Sequence, residues 1–325
     1  MSKTALLFAG QGAQAVGMGK DLAAAFPSAK AWFDRANAAL GYDLASICFN
    51  GPEPELTKTE NAQPGIFLVS WVAFQLLKER VGIQALACSA ADTPKRELQP
   101  KFDATAGLSL GEFTALTAAS AMSFEDGLRV VRQRGRFMQE ACEATRGGMA
   151  AVIGLDEAPT REVCAEAGVV LANLNCPGQL VISGEVDKIG KAVELAKAKG
   201  AKRAIALPVA GAYHSPLMAG AQPKLQAELA KVKLLPPVVP VISNVTGQAH
   251  GVAADISARL VEQVTSSVLW EKSMRYLLAQ GFTRFIELGP GTVLSGFMKR
   301  IDKNVQMLNV ADVASLEATV KALVP

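Results

Sequence analysis

Short apolar strands alternate with amphipathic helices along most of the 325 residues. That alternation predicts an α/β fold, a mostly parallel sheet flanked by helices on both faces. Two further observations refine it. Residues 148–210 follow the order β-α-β-β-α-β, which predicts an inserted ferredoxin-like subdomain. A Gly-x-Ser-x-Gly run at residues 107–111 lies between a β-prone stretch and a helix-forming one, which predicts a sharp strand-to-helix turn.

In chain order, residues 4–8 read as a buried strand entering Gly10-Gln11-Gly12-Ala13-Gln14-Ala15. This loop aligns with a dinucleotide fingerprint, and Asp34 falls at a workable distance for a ribose contact. Asp34 belongs to a helical pattern with Trp32, Phe33, Ala36 and Leu40, however, whereas the ribose acid ends a strand. The better reading is a loop with exposed amide N–H groups at the C-terminal edge of a strand. Residues 18–40 and 65–79 read as helices, the second apolar on most sides. Residues 85–101 show no period and read as a surface loop or insertion. Residues 102–106 make a strand, 113–121 a helix and 124–143 a longer helix.

The inserted unit reads as strand 149–155, helix 157–167, a hairpin of 169–174 and 179–183, helix 185–199 and strand 201–209. A glycine pair before it and Gly211 after it place its boundaries at 147–211, leaving 1–146 and 212–325 as the large catalytic domain. The larger pattern then resumes. Strands are expected at 238–243, 284–288 and 305–310, and helices at 254–268, 272–280, 292–299 and 315–323.

The turn at residues 107–111 is the centre of the functional reading. A serine on a sharp strand-to-helix turn exposes its hydroxyl at the C-terminal edge of an α/β-hydrolase-like sheet, and flanking side chains would clash with the tight turn. Ser109 is therefore the candidate nucleophile; the plainer alternative is a glycine-rich turn that happens to contain serine. A serine nucleophile needs a base. The chain has two histidines. His250 lies in the turn-like Gly247-Gln248-Ala249-His250-Gly251 and is expected to be an exposed loop residue. His214, in Ala212-Tyr213-His214-Ser215-Pro216, follows the inserted unit and is the favoured base. Between them, Asp126 starts a helix and Asp156 and Asp187 lie in the insert, so none suits a triad acid. A Ser–His dyad oriented by a backbone carbonyl or an amide side chain is expected.

In the helix at 124–143, Arg134 stands among apolar residues, four after Val130 and three before Phe137. A buried arginine cannot shed its charge, so it needs an anion. That anion is either an internal acid or a substrate carboxylate held by two parallel bonds.

Composition narrows the field. Half the residues are apolar, which indicates a globular protein. The net charge of +3, from 33 basic and 30 acidic residues, is too balanced to argue for nucleic acid. Five cysteines without C-x-x-C spacing suit a reduced, cytoplasmic protein with no metal site. No apolar run reaches membrane-spanning length, and no association helix is visible, so a monomer away from membranes is expected.

The chain resembles one family over nearly its whole length: malonyl-CoA:acyl carrier protein transacylase, the acyltransferase of fatty acid synthesis. The resemblance is carried by residues 8–14, Gly107 to Glu112, Gln133-Arg134-Gly135, Gly148 to Val152, Val181 to Gly184, Ala212 to Ser215 and Glu287 to Gly291. It implies that Ser109 is acylated and that His214 is the base. It implies an oxyanion hole from the amides of Gln11 and Leu110, Arg134 binding the malonyl carboxylate, and the backbone carbonyl of Gln263 orienting the histidine. Tyr213 occupies a position where an aromatic accompanies preference for malonyl over methylmalonyl. Many members carry histidine where this chain has Leu108. The implied substrates are malonyl-CoA and the phosphopantetheine of an acidic acyl carrier protein, with no cofactor. Lys299, Arg300 and Lys303 are candidates for the carrier's basic dock, although a solvated helix end explains them equally. The competing readings are a serine esterase or thioesterase and a non-catalytic scaffold that binds the carrier.

Overall fold

A computed structural model describes residues 2–82 and 102–324 of the chain. The loop expected at 85–101 lies outside the described residues, as does Cys88. Among the described residues nine strands form two sheets: β1 (Lys3–Phe8), β2 (Ala104–Gly107), β3 (Gly147–Ile153), β4 (Val170–Cys176), β5 (Gln179–Glu185), β6 (Arg203–Ala206), β7 (Val241–Ile242), β8 (Phe282–Leu288) and β9 (Gln306–Val310).

The larger sheet has the order β7-β2-β1-β8-β9, and every neighbouring pair is parallel. β1 lies in its centre, and its side chains alternate between the two faces. Leu6 and Phe8 enter one apolar cluster while Ala5 and Leu7 enter another on the opposite side. A strand buried on both faces needs apolar residues at every position, which is why Ala5 to Phe8 shows no polar alternation. The apolar helix Thr59–Val81 covers one face and packs on the helix Phe124–Glu143. It begins six residues before its expected start, with Thr59, Asn61 and Gln63 buried in its first turns.

The smaller sheet is antiparallel, with the order β4-β5-β3-β6. The helices Glu157–Ala167 and Val186–Ala198 close one face around Val152, Leu171, Ile182 and Ile189. Met149, Ala172 and Val181 on the other face join the core of the larger sheet.

Several elements are shorter than expected. The helix read over 18–40 is two helices, Lys20–Ala25 and Pro27–Leu40, because Pro27 has no N–H to continue a helix but suits a helix start. The strand read over 201–209 pairs only through Arg203–Ala206. The one at 238–243 pairs only at Val241 and Ile242, and the helix at 254–268 ends at Glu262 before a run of turns. Among the described residues no helix is long and apolar enough to cross a membrane, and no group of His, Cys, Asp and Glu has the makings of a metal site.

Candidate active site

β1 and β2 are adjacent and parallel, with Phe8 opposite Gly107, so the loops that follow them leave the sheet side by side at its C-terminal edge. The second loop is the serine turn. A Cβ on Gly107 would stand 1.9 Å from the carbonyl oxygen of Gly111, and one on Gly111 would stand 2.3 Å from that of Phe8. The chain can therefore turn from strand to helix here only with glycine on both sides of Ser109. Ser109 itself has φ 53°, a left-handed conformation costly for a residue with a side chain. Asn244 compensates: its Oδ1 accepts from the Ser109 amide at 2.6 Å, and its Nδ2 donates to the Gly107 carbonyl at 2.8 Å. The amides of Gln11 and Leu110 donate to no described residue.

His214 also has a left-handed backbone, with φ 57°. Its Nδ1–H donates to the carbonyl oxygen of Gln263 at 2.9 Å, which leaves Nε2 free to accept from the Ser109 hydroxyl, 2.9 Å away. Burial, reinforced by the Arg134 charge, lowers the imidazole pKa to about 4, so it is neutral at pH 7. Asp126 lies far from this arrangement in its role, accepting from Ser123 Oγ at the start of the helix Phe124–Glu143.

Arg134 is 1% exposed. Its Nη1 donates to Gln63 Oε1 at 2.7 Å, and its Nη2 donates to Gln263 Oε1 at 2.9 Å and to Ser109 Oγ at 3.0 Å. The guanidinium lies 5.4 Å from the Phe113 ring centroid. Every one of these partners is neutral, Arg134 makes no ion pair among the described residues, and its Nε has no hydrogen-bond partner there. Burial pulls its pKa down to about 10, an effect that the nearby Glu112 charge only partly offsets. The internal-acid alternative for Arg134 thus finds no carboxylate in direct contact.

A cleft of about 530 Å³ opens between the two sheets. Gln11, Ser109 and His214 line one wall, and Asn175, Val181 and Leu207 the other. Tyr213 also faces it; its hydroxyl is 2.7 Å from Thr59 Oγ1, and burial raises the phenol to about 12. A wider hollow of about 620 Å³ touches His214 from the other side, but its lining does not include Ser109. Val293, Leu294 and Phe297, from the start of the last cleft helix, complete the mouth. Arg300, on the same helix, donates to Gln179 Oε1 and the Pro177 carbonyl, so it bridges the two sheets' units, while Lys299 and Lys303 are exposed.

One expectation is corrected. His250 is not an exposed loop residue: its side chain is fully buried, and its Nε2 lies 2.7 Å from Glu112 Oε1. Gln248 at the tip of the turn is exposed, but the next residues fold back beside β7, where His250 N donates to the Val241 carbonyl. Three contributors were missed in the sequence. Gln63 had one available signal, a polar residue in the head of an otherwise apolar helix. Glu112 and Asn244 had none, since their partners lie more than a hundred residues away.

Comparison with known proteins identifies the family. A family model described as an acyl transferase domain matches residues 5–318. The malonyl CoA-acyl carrier protein transacylase of Bacillus subtilis (strain 168) is 45% identical over 99% of this chain and 98% of its own length. The corresponding solved structure from Coxiella burnetii superposes with a TM-score of 0.91 at 34% identity, covering 100% of this chain and 98% of that one. A malonyl-transacylase solved in complex with a type II PKS acyl-carrier protein gives 0.90 at 36% identity, covering 99% and 100%. The chain belongs to the acyl transferase family, among the malonyl CoA-acyl carrier protein transacylases.

Proposed function

We propose that the protein transfers a malonyl group from malonyl-CoA to the pantetheine thiol of acyl carrier protein through an ester on Ser109. The observation that carries this reading is the line Ser109 Oγ, His214 Nε2, His214 Nδ1, Gln263 carbonyl, with a buried Arg134 donating to the same serine hydroxyl. His214, already neutral, takes the Ser109 proton as the oxygen attacks the thioester carbonyl. The Gln11 and Leu110 amides, both without partners among the described residues and both at the sheet edge, bind the oxyanion. The tetrahedral adduct collapses to the serine ester, and CoA leaves with the proton from His214. The carrier thiol then enters, gives its proton to His214, attacks the ester carbonyl, and leaves as the malonyl thioester with Ser109 reprotonated. No step calls for a metal or redox cofactor.

Arg134 supplies the selection, since its present acceptors are neutral amides and a hydroxyl that a malonyl carboxylate outcompetes. The Tyr213 ring closes the cleft beside the acyl group and favours malonyl over the branched methylmalonyl. Residues 1–146 and 212–325 act as the catalytic domain. The four-stranded order β4-β5-β3-β6 with its two helices supports reading 147–211 as a ferredoxin-like small subdomain. Intact-mass measurement after mixing with malonyl-CoA tests the proposal. Wild type should gain one malonyl group and Ser109→Ala none; a wild type without adduct, or an adduct surviving in the variant, would overturn it.

A further inference from the structure

Glu112 takes part in no step of the transfer, yet it is fully buried directly beneath the serine turn. Its Oε2 accepts from the Asn244 amide at 3.0 Å and from Gln263 Nε2 at 2.7 Å. Its Oε1 accepts from His250 Nε2 at 2.7 Å. Three residues from two segments of chain, all more than 130 positions away, therefore converge on one carboxylate. Two of them are the residues that hold the reacting groups. Asn244 fixes the amide of Ser109 and the carbonyl of Gly107. Gln263 donates from the same Nε2 to the Ser109 carbonyl at 3.1 Å, accepts from Arg134 through Oε1, and orients His214 through its main-chain oxygen.

We propose that Glu112, held by His250, is a positioning residue that keeps Asn244 and Gln263, and through them Ser109 and His214, in register for acyl transfer. The chemistry of the acceptor explains why a carboxylate stands here. Donors approach from two sides, and only an acidic side chain offers an acceptor oxygen to each. The left-handed backbone of Ser109 makes the support necessary, because a strained conformation persists only where its surroundings hold it. His250 donates through Nε2, and its Nδ1 has no partner among the described residues. That arrangement gives glutamine a way to substitute. With its carbonyl oxygen toward Asn244 and Gln263, a glutamine at 112 would present its NH₂ to His250, which can accept once its proton sits on Nδ1. Alanine offers no such substitute.

This inference rests on Ser109 being the acylated residue, and the test separates the two. The rate of Ser109 malonylation is followed by quenched intact-mass measurement on the full chain as malonyl-CoA is varied. Glu112→Ala should lower the limiting rate about 100-fold, the loss expected from an ångström-scale misplacement of reacting groups. KM should change far less than the limiting rate, since Arg134 keeps its bonds to Gln63 and Ser109. Glu112→Gln should recover the rate to within roughly tenfold of wild type, as its carbonyl oxygen keeps the acceptor toward Asn244 and Gln263. A wild-type rate in folded Glu112→Ala, a loss confined to KM, or a Glu112→Gln as slow as the alanine variant would each overturn the proposal. Should Glu112→Ala fail to fold, His250→Gln and His250→Leu carry the test. The first keeps a donor toward Oε1 and should be clearly faster than the second; equal rates overturn the proposal. A wild type that acquires no malonyl group at all would instead remove the acyl-serine reading itself.

Discussion

Replacing Arg134 with alanine should erase the distinction between malonyl and acetyl groups rather than simply slow the protein. The guanidinium is buried and permanently charged, and its pKa is held down to about 10 by a site that does not fully compensate it. A malonyl carboxylate supplies the missing anion, and an acetyl group does not. Losing one partner of a desolvated charge pair costs about 2–5 kcal/mol. The lower part of that range applies, because Gln63, Gln263 and Ser109 keep accepting from Arg134 when no carboxylate is present. About 2–3 kcal/mol corresponds to a preference of roughly 30- to 150-fold. The assay is the ratio of kcat/KM for Ser109 acylation by malonyl-CoA and acetyl-CoA, in wild type and Arg134→Ala. Arg134 also donates to the nucleophile, so both rates will fall for a shared reason, and the ratio cancels that part. The ratio should collapse to near one. A ratio unchanged by the substitution would refute the argument and return Arg134 to a purely structural role.

Other outcomes follow from the same geometry. Because the His214 pKa is lowered to about 4, its base form is lost only as pH falls through that value. Acylation should therefore be flat from pH 8 to 6 and fall near pH 4, whereas a midpoint near 6.5, the ordinary histidine value, would contradict the burial argument. The same depression means that the unfolded chain takes up a proton first, so stability should decline between about pH 6.5 and 4 in acid melts. Gly107→Ala places a methyl 1.9 Å from a backbone oxygen and should cost about 3 kcal/mol or more in urea unfolding; an unchanged midpoint would mean that the turn can open. Tyr213→Phe keeps the ring and loses the hydroxyl with its bond to Thr59, so stability should drop by about 1 kcal/mol while the preference for malonyl over methylmalonyl persists in competition assays.

What could be read in advance was local. The apolar run into β1, the glycines around Ser109 and the position of Arg134 on an apolar helix face all depend on residues within a few turns of one another. His250 was misjudged because glycine-rich neighbours describe the backbone of a turn and say nothing of where a side chain folds back; its partner is 138 residues earlier. The shortened strands β6 and β7 have a local cause: β6 stops just before Leu207-Pro208 and β7 starts directly after Pro240, and a proline has no N–H to give the ladder. Pro27 marks a helix boundary in the letters themselves.

The pairing of Phe8 with Gly107 works as a fixed ruler. Neighbouring strands stand about 4.8 Å apart whatever their side chains, so the gap between the loops that leave β1 and β2 is set by the backbone ladder. The opposite wall of the cleft, with Val181 and Leu207, belongs to the smaller sheet, which shares none of that ladder. The two halves of the cleft can thus drift at different speeds. An engineer seeking a roomier or more polar acyl pocket can recut Val181 and Leu207 while the spacing of the Gln11 and Leu110 amides stays where the sheet has set it.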